Sequence, residues 1–200
     1  PSGVPAALAA ARHGLKTVLV EQSGQLGGTG TSSGVSHLLG GRSRDNRHWA
    51  VAGIFREIVT ELAEAGGAIN PETIKASDEE YSPFGWVKGK HSTLAYGVPF
   101  DPLAMASLLD RKMLDAGVEV LFATHFVDVL KHDDGRHIDQ VIVHNKSGLQ
   151  ALACKAVVDA TGDGDVAARS GCEFIKGRKE DGLMTPATLA FHVDHVDQDQ

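Results

Sequence analysis

Cysteine is scarce in this chain. Cys154 and Cys172 are the only two among 200 residues, and they form no C-x-x-C pair. That argues against a disulfide framework and against a thiol redox pair, and points to a reducing compartment, the cytoplasm. Basic charge is also short: 19 Lys and Arg stand against 26 Asp and Glu, for a net charge of −7. Nucleic-acid partners draw on clustered cations, so none is expected. No apolar run approaches the roughly 20 residues that a membrane-spanning helix needs, and no signal-peptide pattern is visible. The 10 histidines are scattered, without H-x-x-x-H or H-E-x-x-H spacing, so no zinc site is expected. Internal repeats and low-complexity segments are absent.

What is present suits one domain, or one domain and part of another: 42% hydrophobic residues, and 23 glycines that cluster rather than spread. Residues 3–14 read as a helix, with Ser2 as N-cap and Pro5 in the first turn. Residues 16–21 read as a buried parallel strand centred on Val18-Leu19-Val20. Residues 22–47 show no period and read as a long functional loop. Helical spacing returns over 53–65, where Ile54, Ile58, Leu62 and Ala65 share a face. Residues 68–100 are irregular, with Trp86 and Tyr96 suited to packing or to lining a pocket. Asp101-Pro102 opens a second helix that carries Met105, Leu108, Leu109 and Met113 and ends at Gly117. Strands are expected over 118–123, 126–131, 138–144, 150–154 and 156–160, with a hairpin turn at Asp133-Asp134-Gly135 and a last strand at 187–193.

The chemistry begins in "PSGVPAALAAARHGLKTVLVEQ". A dinucleotide site runs strand, G-x-G-x-x-G, helix, strand, acid. Backbone N–H groups at the helix start bind pyrophosphate, and the acid binds a ribose hydroxyl. Pro1-Ser2-Gly3 fits the last three positions of the glycine motif, and Glu21 stands 18 positions after Gly3, where the acid belongs. An ordinary helix–strand pair with a surface glutamate fits this stretch as well. The next stretch shifts the balance: Gly27-Gly28-Thr29 offers bare backbone and a hydroxyl just after the acid, where a linker is seldom found. A third element, "VVDATGDGD", ends an apolar run in Ala160-Thr161-Gly162. Asp163 and Asp165 invite a metal reading, but no bidentate Glu follows at loop spacing, so helix capping and cofactor contact are preferred and no metal is expected.

In order along the chain, "LGGTGTSSGVS", "FDP", "LDAGVEVLFAT", "NKSGLQAL", "VVDATGDGDVAARSG" and "DGLMTPATLAFHV" resemble the FAD-dependent oxidoreductases. These have the glutathione-reductase-type FAD-binding fold and are distantly like fumarate reductase and succinate dehydrogenase flavoproteins. The resemblance spans nearly all of the chain, more weakly over 68–100. It implies an α/β fold: a Rossmann-like parallel sheet, a three-stranded β-meander and helical insertions. It implies FAD held by Ser2, Gly3, Glu21, Gln22, Gly27, Gly28, Thr29, Phe126, Val127, Ala160, Thr161, Gly162 and Asp163, with Glu21 on the adenosine ribose and the Phe126-Val127 backbone at the adenine edge. The FAD is expected to be non-covalent, because residues 26–34 contain neither His nor Cys.

The family's first strand, first glycines and late G-D motif have no counterpart here, so a piece truncated at both ends is expected. Residues 1–185 would be the FAD-binding domain, with an insertion at about 48–100, and 186–200 the start of a substrate domain. The implied activity is hydride or electron transfer between flavin and a small organic substrate. An NAD-dependent Rossmann dehydrogenase and a non-catalytic flavin- or nucleotide-binding fragment are the alternatives. His37 is a candidate proton donor or a structural residue. Arg42 and Arg44, with Arg47, are candidates for holding a substrate carboxylate or reduced-flavin charge, or form a solvated face. Expected partners are the substrate and an electron-transfer partner or a second copy of the chain.

Overall fold

The computed structural model describes residues 1–38, 41, 43, 48–70, 72 and 98–189. Arg42, Arg44, Arg47, Trp86, Tyr96 and most of the expected strand at 187–193 lie outside the described residues, and 187–189 form no strand. The chain opens with helix α1 (Gly3–Arg12), whose alanine-rich sequence favours helix and whose Val4, Ala7 and Leu8 face inward. Ser2 precedes it in helical backbone and makes no side-chain cap bond. Its expected capping role is therefore not realised, since a cap needs an extended Ncap backbone to aim the hydroxyl at the first turn.

Strand β1 (Val18–Val20) pairs in parallel with β4 (Glu119–Leu121), Leu19 opposite Val120. The long segment between them holds β2 (His37–Leu38), α2 (Ile54–Glu64), β3 (Val98–Pro99) and α3 (Pro102–Asp115). The loop expected over 22–47 thus contains order of its own: a 3-10 turn at Gly28–Gly30, and β2, which pairs antiparallel with β3. Helix α3 starts as its sequence demands. Asp101 is extended, Pro102 fills the first turn, and the Asp101 carboxylate accepts from the Ala104 N–H at 2.7 Å.

The core lies where α1, α2 and α3 meet. Val4 and Leu8 from α1, Ile58 and Leu62 from α2, and Met105, Leu108, Leu109 and Met113 from α3 form one apolar cluster. Leu26, fully buried, joins it from the loop. Each such side chain contributes about 1.5–3 kcal/mol on burial. At the edge of this core the buried Lys112 donates from Nζ to Glu57 at 2.5 Å and to Glu61 at 2.7 Å, while Arg12 grips both Glu57 oxygens at 2.6 and 2.8 Å. One carboxylate therefore ties all three helices together.

Beyond β4 the chain forms the three-stranded antiparallel meander: β5 (His125–Lys131), β6 (Ile138–Asn145) and β7 (Gly148–Ala153), in that order. Helix α4 (Asp165–Ser170) follows and packs against β5. The expected strand at 156–160 carries no ladder pairing. Its residues run on without a sheet neighbour among the described residues, and Val158 is left 70% exposed. An apolar run specifies burial in a sheet only where a neighbouring strand supplies the hydrogen bonds.

Candidate functional site

Three segments far apart in sequence converge at the N-terminal end of α1. Gly3 marks the point: a Cβ placed there would lie 3.1 Å from Leu19 Cδ1 on β1 and 3.4 Å from Ala160 Cβ. An added Cβ would crowd the Leu19 side chain and meet Ala160 in ordinary contact, so the helix start sits close against both segments. The paired glycines close the third side. A Cβ on Gly28 would come within 2.6 Å of the Pro1 ring, and one on Gly27 within 2.5 Å of Thr31 Cγ2. Both glycines have positive φ, +109° at Gly27 and +54° at Gly28. Thr31, itself buried, donates from Oγ1 to the Leu26 carbonyl at 2.6 Å and fixes the turn. Thr29 is exposed, and Gln22 is exposed beside Glu21.

Glu21 ends β1. Its N–H donates to the Leu121 carbonyl at 2.9 Å, and its own carbonyl accepts from the Thr124 N–H at 3.0 Å. The Ala123 N–H donates to the Ser23 carbonyl at 3.0 Å, with Ala123 in the left-handed region at φ 47°. These bonds hold the start of the meander beside the acid. Phe126 pairs with Val143 and Asp128 with Ile142, so Val127 is the extra residue of a β-bulge and its backbone stands outside the regular ladder. A bulge at this place is what allows a strand backbone to face a ligand instead of its neighbour. The side chain of Glu21 accepts from the Ser23 N–H at 2.7 Å and from the Ser23 hydroxyl at 2.8 Å, both at Oε1.

The Ala160-Thr161-Gly162 turn is organised by a residue that the sequence reading did not single out. Asp159 Oδ1 accepts from the Thr161 N–H at 3.0 Å and hydroxyl at 2.7 Å, and Oδ2 accepts from the Ala167 N–H at 2.9 Å. Thr161 Oγ1 in turn accepts from the N–H groups of Gly164 and Asp165, both at 3.1 Å. Burial pushes the Asp159 pKa up. The hydrogen bonds from Ala167, Thr161 and Val166 outweigh that and hold it below the usual carboxylate value. Helix α4 is therefore capped by Asp159 and Thr161. Asp163 and Asp165, expected to cap it, do not: Gly164 occupies the N-cap position, with no side-chain cap bond of its own. The signal for Asp159 was an acid two residues before a threonine and just ahead of a short alanine-containing helix.

Of the catalytic candidates, His37 is half-buried on β2, opposite Pro99, and Arg42 and Arg44 lie outside the described residues. The cradle of Gly3, Gly27, Gly28 and Gly162, with one acid at its side, fits a dinucleotide. Gly3, Gly27 and Gly28 pack against Leu19, Thr31 and Pro1, and open space surrounds Gly162.

A family model described as FAD dependent oxidoreductase matches residues 1–200. The chain belongs to that family. Its cofactor is FAD, which decides against the NAD-dependent alternative. Among solved structures, the chain is similar to Thermovibrio ammonificans THI4, with 17% identity and a TM-score of 0.53, over 89% of this chain and 63% of that one. It is also similar to a geranylgeranyl bacteriochlorophyll reductase-like protein from Thermoplasma acidophilum, with 17% identity and a TM-score of 0.50, over 86% of this chain and 40% of that one. At such identity the likeness shows a shared fold. The chain spans less than two thirds of the length of either structure. No curated protein matches it.

Proposed function

We propose that this chain is the FAD-holding part of an oxidoreductase that moves hydride or electrons between non-covalent FAD and a small organic substrate. One observation carries the assignment of the site: at Gly3 the start of α1 lies against Leu19 of β1 and against Ala160, where the Ala160-Thr161-Gly162 turn begins. In this reading the N–H groups of Ser2 and Gly3 and the Gly27-Gly28-Thr29 backbone bind the pyrophosphate. Glu21, next to Gln22, takes the adenosine ribose. The bulged backbone at Phe126-Val127 borders the adenine, and Ala160, Gly162 and Asp163 line the other wall. Thr161 shapes that wall from behind, because its hydroxyl is already engaged with Asp159 and the head of α4. When bound, the flavin supplies the redox chemistry; these residues hold and orient it.

Residues 1–185 constitute the FAD-binding unit, and the chain from 186 leads toward the part that selects the substrate. His37, Arg42 and Arg44 are proposed as candidate catalytic groups. The partners are the small-molecule substrate and an electron-transfer protein or a second copy of the chain. Among the described residues, no helix is long and apolar enough to cross a membrane. Purified intact protein is expected to be yellow, to bleach with dithionite under nitrogen, and to release unmodified FAD on acid precipitation. Substitution Glu21→Ala is expected to weaken FAD binding by about tenfold or more, since hydrogen bonds to a charged group are lost. Colourless protein that takes up no FAD would overturn the reading.

A further inference from the structure

We infer that Ser23 is a positioning residue for the ribose acid: it fixes the Glu21 carboxylate so that one oxygen alone is presented to the adenosine diol. The inference rests on Glu21 being that acid. A glutamate at the end of a strand has three side-chain torsions to order before it can bind anything. Here the ordering is done in advance. The Ser23 N–H and hydroxyl both reach Oε1, at 2.7 and 2.8 Å. Among the described residues Oε2 accepts no hydrogen bond, so its lone pairs remain for a ligand hydroxyl.

The same hydroxyl belongs to a wider arrangement. Ser23 Oγ lies 2.7 Å from the Gln25 carbonyl and accepts from the Ser32 hydroxyl at 3.0 Å and the Gln25 N–H at 3.4 Å. Its single proton is shared between the Glu21 carboxylate and the Gln25 carbonyl. Gln25 stands before the paired glycines and Ser32 after them. One side chain therefore joins the acid that meets the ribose to both limbs of the loop that meets the pyrophosphate. A ligand with an intact ribose diol would gain from this preorganisation, and one without the diol would not.

The test measures ADP and 2′,3′-dideoxy-ADP binding to the intact protein stripped of FAD, by calorimetry. Ser23→Ala is expected to weaken ADP about fivefold, the worth of one hydrogen bond, and to leave dideoxy-ADP unchanged. Ser23→Thr, which keeps the hydroxyl, is expected to restore ADP binding. Ser32→Ala alters an exposed residue, keeps the Ser23–Glu21 contact and is expected to bind ADP within about twofold of the parent. Equal weakening of both nucleotides in Ser23→Ala, or a full loss in Ser32→Ala, would mean that the hydroxyl only tethers the loop, and overturns the inference. Parent-like ADP binding in Ser23→Ala, with weakened binding in Glu21→Ala, overturns it while leaving the role of Glu21 intact. Parent-like binding in Glu21→Ala removes both.

Discussion

At the scale of single residues, the site is built as much from missing side chains as from present ones. Gly27 cannot be replaced cheaply: its φ of +109° disfavours any L side chain, and a Cβ would strike Thr31. Gly27→Ala is expected to cost about 1–3 kcal/mol, read as a lowered thermal midpoint of the FAD-free protein, and to impair flavin uptake as well. Asp159 is the converse case, a side chain whose every oxygen is used. Asn can keep the bonds from Thr161 but cannot accept from the Ala167 N–H with its amide nitrogen. Asp159→Asn is therefore expected to cost about 1–3 kcal/mol. The sign of the pH effect follows from the lowered pKa: the Asp159 contribution is complete above the ordinary carboxylate value and fades as pH falls below it. Denaturation midpoints of the two proteins should converge on acidification.

At the scale of elements, the three-helix junction is held by the Arg12–Glu57–Lys112 cluster. The bonds from Arg12 first, then from Lys112, pull the Glu57 pKa down from 4.5 to about 2. A depressed folded-state pKa means stability that is present above pH 4.5 and lost between there and pH 2. With Arg12 half-exposed, solvent screening reduces the effect to about 1–2 kcal/mol. Urea midpoints measured down through this window should fall less in Glu57→Gln than in the parent. Helix α3 offers a simpler case: removing the Asp101 cap by Asp101→Ala should cost about 1 kcal/mol. Both helices were legible from their own residues, since Ile58, Leu62, Met105 and Met113 repeat at helical spacing and are buried. The run at 156–160 was equally apolar and became no strand, because pairing depends on a neighbour that local sequence does not contain.

At the scale of the whole molecule, cofactor and fold are linked. FAD that binds the folded state alone raises the thermal midpoint, by the equivalent of about 2.7 kcal/mol at a free concentration one hundred times Kd. A tenfold weaker Glu21→Ala should lose about half of that shift at the same FAD concentration while keeping the FAD-free midpoint near the parent value. Exposed apolar side chains gather toward the end of the described chain, with Phe174 at 67%, Ile175 at 92% and Leu189 at 89% exposure. The apolar core lies instead among α1, α2 and α3.

The sequence by itself determined the periodic elements and the acid-and-glycine spacing of Gly3, Glu21 and Gly27-Gly28. Helical repeat and the Asp101-Pro102 helix start act over a few residues, and so they can be read locally. Tertiary structure alone decided that the start of α1 lies against both Leu19 and Ala160 and that Val127 bulges out of its ladder with β6. Each depends on segments brought together by the helix core and the meander.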